Sequence, residues 1–436
     1  MPASFRPKES VLQWSAQHYI TLPFKPMLQL KTDFQIALRN LQRHRGRTAV
    51  AVLTVAAGLI AFLLAGGFIE WIFENMREST IRSQLGHIQI VRPGYLEKGI
   101  ADPYRFLLPA NSLEQKTISE RPIVVSMTER LAFSGLISHG DTTAIFIGEG
   151  VDPEKEARIS DQIHIREGSN LAGINERTVI LGEGLAKTLG VTIGDNVVLF
   201  ATTAEGAPSA VEVTVVGTFF TASKEFDDTA LRLPLTPSRK LMRVTGATSW
   251  VLLLKETSNT KHTVDDLKNN LSADHFQVVP WFDMADFYNK TVSLFSKQTE
   301  FMKLIIGLII ILTISNTQTM SVLERTTEIG TMLAMGTRTD GVLRLFIIEG
   351  VTVGVIGGLL GATTGYILSV ILSAIGIPMP PPPGMDTGFT AGVLVTPALI
   401  ADSLVLAFVT TLLASILPAN RASRLIIVDA LRANQP

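Results

Sequence analysis

SVLERTTEIGTMLAMGTRTDGVLRLFIIEG, residues 321–350, decides how this chain is read. It is charged and punctuated by glycine, and it lies between two apolar runs, 304–322 and 345–375, each long enough to span a bilayer. So short a segment between two spans is a reverse turn at one membrane face. Glu324 and Glu328 stand four residues apart on one helical face with Arg325 beside them, while Leu323, Met332, Leu333 and Met335 supply apolar contacts. The pattern suits an amphipathic connector that docks against another protein, although spacing alone fits an ordinary solvated turn helix better.

Composition agrees with a membrane frame. Of 436 residues, 46% are hydrophobic and 18% charged, with mean hydropathy +0.31, which is unlike a soluble enzyme. A formal net charge of −1 argues against a nucleic-acid partner, which calls for a basic face. Without cysteine there is no disulfide, thiolate nucleophile or Cys-ligated metal. The fold class expected is an integral membrane protein with four transmembrane α-helices, at 48–71, 303–322, 345–375 and 396–418. A large α+β extracytoplasmic domain, 72–302, lies between the first two.

Residues 1–47 read as a cytoplasmic lead, irregular around Pro2, Pro7, Pro23 and Pro26, with a short helix within 10–20. In 31–47, Phe34, Ala37, Leu38 and Leu41 stand opposite Arg39, Arg43 and Arg45, as in an interfacial helix. The first apolar run begins too far into the chain for a cleaved signal peptide and reads as a retained anchor. Arg39, Arg43, Arg45 and Arg47 precede it, Arg325, Arg338 and Arg344 lie in the 323–344 connector, and Arg421, Arg424 and Arg432 lie in the tail, 419–436. The Pro-rich loop 376–395 has neither Lys nor Arg, so both termini and the connector are expected in the cytoplasm.

Small residues recur every four positions at Ala57, Ala61 and Ala65, at Gly350 and Gly354, and at Gly357, Gly361 and Gly365. Such rows let helices approach closely in lipid, within the chain or at a dimer seam. Asp402 is an intramembrane carboxylate and a functional candidate, or else marks a wetted helix start. Asn316 and Gln318 are expected to hydrogen-bond to a neighbouring helix.

In 72–302, β-branched runs recur at 87–91, 123–125, 144–147, 178–181, 196–200, 211–216 and 250–254. Helices are expected at 183–190, 236–244 and 264–271. Strands from both ends of the insertion predict a base, with a β-rich lobe at about 150–221. Helical stalks are expected at 73–84 and 281–303, where Phe287, Val292, Leu294 and Phe295 can contact the first stalk. There is no G-x-x-x-x-G-K-[ST], no His pair at ligand spacing and no G-x-S-x-G elbow. No catalytic or metal site is expected.

Three separated motifs border these spans: ALRNLQRHRGRT (37–48), the Glu324-Arg325, Glu328-Ile329-Gly330 and Ala334-Met335-Gly336 series, and LPANRASRLIIVDALR (417–432). Their order and placing resemble the FtsX-like, MacB-type permeases of ABC transporters, LolC/LolE-like lipoprotein-releasing permeases among them. GHIQIVRPGY (86–95), IGEGVDP (147–153) and TVILGEGLAKTLGVTIGDNVVL (178–199) resemble the same group more loosely.

The resemblance implies a multi-pass protein of the bacterial inner membrane that works as a dimer with a second copy or a paralogue. An ABC ATPase subunit would dock in trans on Glu324, Arg325, Glu328, Ile329, Gly330, Met335 and Gly336, with ATP and Mg bound there and no cofactor on this chain. It further implies mechanotransmission. The cargo it implies is a lipoprotein or other amphiphile taken from membrane lipid, with a periplasmic adaptor or lipoprotein carrier as a possible partner. Export of a peptide or small amphiphile, and a non-transporting regulator of an envelope enzyme, are the alternatives.

Overall fold

Residues 45–80 hold no proline and only scattered charges, and they form a single helix of 36 residues. The computed structural model describes residues 26–99, 102–161, 163–221, 224–380, 388–427 and 430. The helix expected within 10–20, Pro381, Pro382, Pro383 and Gly384 of the Pro-rich loop, and most of the tail beyond 427 lie outside them. The chain divides into two compact units: one from 1–63, 302–366 and 397–436, the other from 64–301 and 367–396.

The first unit is helical. Its elements belong to α1 (Pro26–Arg43), α2 (Arg45–Thr80), α3 (Asp286–Glu324), α4 (Thr326–Ala334), α5 (Thr339–Ile375) and α6 (Pro397–Ser423). Among the described residues α2, α3, α5 and α6 are long and apolar enough to cross a membrane. Val52, Val55 and Leu59 of α2, Ile310 and Ile314 of α3, Val353 of α5, and Ala407 and Ala414 of α6 share one buried cluster. Ala37 and Leu41 of α1 are buried, whereas Phe34 and Leu38 of the same expected apolar face are exposed.

The glycine rows pack on two different neighbours. A methyl group on Gly350 or Gly354 would collide with Ser415 or Thr411 of α6. On Gly357, Gly361 or Gly365 it would meet α2 instead, and at Gly361 it would come 2.9 Å from both the Ala56 carbonyl oxygen and Leu59 Cβ. α5 is therefore the shared wall between α2 and α6. The alanine row does not join this packing: Ala57 and Ala61 are exposed and Ala65 is half-buried. Replacing Gly361 by Leu is expected to lower bundle stability by about 1–3 kcal/mol through overpacking. Gly46→Ala, where the added methyl has no neighbour within 4 Å, should not destabilise. Thermal unfolding in detergent distinguishes the two.

The second unit is built on a ten-stranded sheet. Its strands are β1 (Ile88–Val91), β2 (Val124–His139), β3 (Thr142–Val151), β4 (His164–Gly168), β5 (Thr178–Gly182), β6 (Asn196–Thr202), β7 (Pro208–Phe220), β8 (Ala230–Pro234), β9 (Ser249–Leu254) and β10 (Gln277–Pro280). They run in the order β10-β1-β9-β2-β3-β8-β5-β7-β4, with β6 pairing β2 and β7. β1 sits between β10 and β9, so the two ends of the insertion do form a base, over a core of Ile88, Ile90, Trp250, Leu252 and Leu267. The lobe is wider than 150–221. The long β2/β3 hairpin carries the sheet from base to lobe, and β8 and the helix Leu235–Met242 close the lobe core around Phe133, Phe146, Leu181 and Leu199.

α2 continues as a π-turn, Ile81–Leu85, that ends at Gly86 with φ +64, a left-handed conformation that glycine adopts without strain. Phe73 meets Phe295 edge-on at 6.2 Å, as the expected stalk pair requires, while Phe287 and Leu294 are exposed.

Candidate coupling site

The connector is a helix-turn rather than a loop. α3 ends at Glu324 and α4 starts at Thr326, so the dipeptide Glu324-Arg325 forms the joint between them. Its two side chains turn to different helices. Glu324 accepts a two-pronged pair from Arg47 at the start of α2, and both side chains are 36% exposed. Arg325 is buried: Nη1 lies 3.4 Å from Glu349 of α5, Nε donates to Glu328 at 3.2 Å, and the guanidinium stands 5.7 Å from the Phe346 ring centre. Glu328 also takes a 2.9 Å pair from Arg43, the last residue of α1.

One face of α4 is buried at Ile329 and Gly330, and Ile329 joins Val322, Val342, Phe346, Ala419 and Ala422 in a cluster between α3, α5 and α6. The opposite face leaves Glu328, Thr331, Ala334 and Met335 exposed, Met335 by 75%. Gly336 then ends the helix at φ +94, with its N–H donating to Leu333 O and that of Thr337 to Met332 O. Of the seven predicted docking residues, Arg325, Ile329 and Gly330 hold the joint together from inside. Glu324, Glu328, Met335 and Gly336 are on the surface.

Sequence reasoning missed Glu349. It stood in an apolar span, and the rule applied to Asp402 would have found it. Gln318 donates to Ser415 Oγ at 3.0 Å, the expected interhelical bond, but Asn316 is exposed. The second Gln318 amide atom, Oε1, is buried without a partner, and a cavity of about 40 Å³ lies between Gln318, Glu349, Arg47 and His44, with room for water. Asp402 is paired with Lys303 of α3, whose ammonium also sits 5.6 Å from the Phe62 ring centre. An ion pair explains why a carboxylate is tolerated there.

The sheet unit carries a second polar centre that no motif announced. Arg130 and Arg232 are buried with Glu156 and partly buried Glu149, the closest pairs being Arg130 to Glu156 at 2.6 Å and Arg232 to Glu149 at 2.9 Å. Burial opposes ionisation of Glu156, but the two guanidiniums outweigh it and hold the carboxyl below its usual range. Both arginines also donate to main-chain oxygens of the π-turn, Arg130 to Gln84 and Arg232 to Ser83. The end of the α2 stalk is thus gripped by the lobe. Beside it, His87 Nδ1 accepts from Leu254 N at 3.1 Å, so Nε2 carries the proton and donates to Thr257 Oγ1 at 3.0 Å. Burial pushes His87 down to about 4.

A sequence model of the MacB-like periplasmic core domain matches residues 48–270, and one of the FtsX-like permease C-terminal region matches 301–426. The chain belongs to the FtsX-like, MacB-type family of ABC transporter permeases. The permease is 24% identical over 347 residues to the lipoprotein-releasing system transmembrane protein LolC of Xylella fastidiosa, covering 72% of this chain and 81% of that one. It is 23% identical over 437 residues to the macrolide export ATP-binding/permease protein MacB of Acinetobacter baylyi, covering 94% of this chain but only 60% of that protein. Among solved structures, the periplasmic region of MacB from Actinobacillus actinomycetemcomitans aligns with a TM-score of 0.36 at 14% identity, over 50% of this permease and 96% of that chain.

Proposed function

We propose that this chain is the membrane subunit of an ATP-driven transporter, powered by an ATPase that docks in trans on the exposed face of α4. The observation that carries it is the build of the joint: a short helix packed rigidly on its inner face, presenting Met335, Thr331 and Glu328 outward. A rigid helix between two spans can pass on a push, whereas a flexible loop cannot. The MacB relative is named as both ATP-binding and permease, and the LolC relative as the transmembrane protein of a releasing system. α2, α3, α5 and α6 cross the inner membrane four times with both termini and α4 in the cytoplasm, and the sheet unit lies in the periplasm. The outward alanines Ala57 and Ala61 are available to a second copy or a paralogue in a dimer.

Lipoprotein or other amphiphile handling is the cargo class favoured, by likeness to LolC. Docking of a periplasmic adaptor or envelope enzyme draws on a separate observation: Phe200, Leu136 and Ile145 lie side by side across β6, β2 and β3, all exposed, with Ile147 next along β3. Replacing Met335 by Glu is expected to lower recovery of the ATPase with the purified permease at least fivefold, with the permease itself still inserted and folded. Undiminished recovery would remove the outer face of α4 from the docking role.

A further inference from the structure

The spacing of charges on α1, α2 and the joint is matched. Arg43 and Arg47 are four residues apart, as are Glu324 and Glu328, and they pair in opposite order, Arg43 with Glu328 and Arg47 with Glu324. The result is a two-rung ladder between the α1/α2 junction and the α3/α4 joint. On its other side the same joint is tied to α5 by Arg325 and Glu349. The two ties differ in kind. Arg325 and Glu349 have side chains only 8% and 11% exposed, beside the apolar cluster of Ile329, Val342 and Phe346. Separating them would strand two charges away from water. Arg47 and Glu324 are each 36% exposed, and the Arg43 and Glu328 side chains 71% and 45%. Water can replace either partner of these rungs, so they open and close at little cost. A cavity at this level, lined by Arg47, Thr48, Gln318, Glu349 and Val353, leaves room beside the rung between α2, α3 and α5.

We propose that Arg47 is a coupling residue: through Glu324 it ties the start of α2 to the α3/α4 joint by a contact that breaks and re-forms, so that movement of the joint reaches the start of α2 directly only while this rung is closed. The inference rests on docking of an ATPase at α4 and adds which span that docking engages conditionally. Arg47 touches neither nucleotide nor cargo. It acts by positioning α2.

The test uses Arg47→Glu, Glu324→Arg and the double swap in the full chain, each purified in mild detergent from native membranes together with its ATPase. Three quantities are read: ATPase retained per permease, ATP hydrolysis per retained ATPase, and the thermal unfolding midpoint of the permease. Arg47→Glu is expected to lower hydrolysis at least threefold, with retained ATPase within twofold of wild type and the midpoint unchanged, and the swap to restore hydrolysis to within twofold. Wild-type hydrolysis in Arg47→Glu overturns the proposal, as does a swap no better than that variant. A midpoint that falls in step with hydrolysis also overturns it, because the pair would then be structural. A wild-type permease that retains no ATPase overturns the docking itself and this proposal with it.

Discussion

Replacing Arg325 by alanine is expected to destabilise the helical unit by about 3–5 kcal/mol, the largest effect of any single change at the joint. The alanine leaves Glu349 buried beside Phe346 with its positive partner gone, and it also removes the Nε bond that holds Glu328 to the start of α4. Loss of the contact alone would be a smaller matter. The penalty comes from the stranded carboxylate, so the double variant Arg325→Met, Glu349→Leu should recover most of the stability. Unfolding of the detergent-solubilised permease in a denaturant series measures both. A loss below about 1 kcal/mol for Arg325→Ala would show that this pair does not hold the joint together.

The second large effect is one of pH. His87 sits at about 4 in the fold against 6.5 for the free side chain, because it is buried and its Nδ1 already accepts the Leu254 N–H. Its folded-state value is depressed, so the unfolded chain binds the extra proton between these limits. Stability is fully present above pH 6.5 and is lost as pH falls from there towards 4. Each pH unit in that window removes about 1.4 kcal/mol, so going from pH 7.5 to pH 5 should remove about 2 kcal/mol of His87's own contribution, opposed by Asp227, whose carboxyl burial pushes up to about 6. His87→Gln has no proton to gain, and its unfolding midpoint should not show this component. An equal fall in the variant would assign the acid sensitivity to other groups, such as Glu156, whose depressed value makes it lose stability only at still lower pH.

What could be read in the sequence was whatever is local. The four apolar runs, the Gly190 helix cap and the β-branched strands depend on neighbours within a few residues, and their elements formed. The joint was visible as a motif for the same reason. Its internal division was not: whether Arg325 points at solvent or at Glu349 depends on where α5 lies, 24 residues later in the chain. The alanine and glycine rows looked alike in sequence, yet only the glycines face a neighbouring helix, because facing is set by the rotation of each helix in the bundle. Lys303 was taken as the boundary of a stalk, and only the fold brings it to Asp402. The Arg130, Arg232, Glu149 and Glu156 centre draws on β2, β8, β3 and the helix Pro153–Ile159, and no periodicity signals residues gathered from four elements.

The most direct test of the central claim is to purify the tagged permease in mild detergent from its own membranes and identify by mass spectrometry what remains bound. Recovery of an ABC ATPase in near-equal amount, lost in Met335→Glu, is the result expected of a membrane subunit driven through α4. An intact, folded permease that carries no ATPase under conditions where other membrane complexes survive would contradict it.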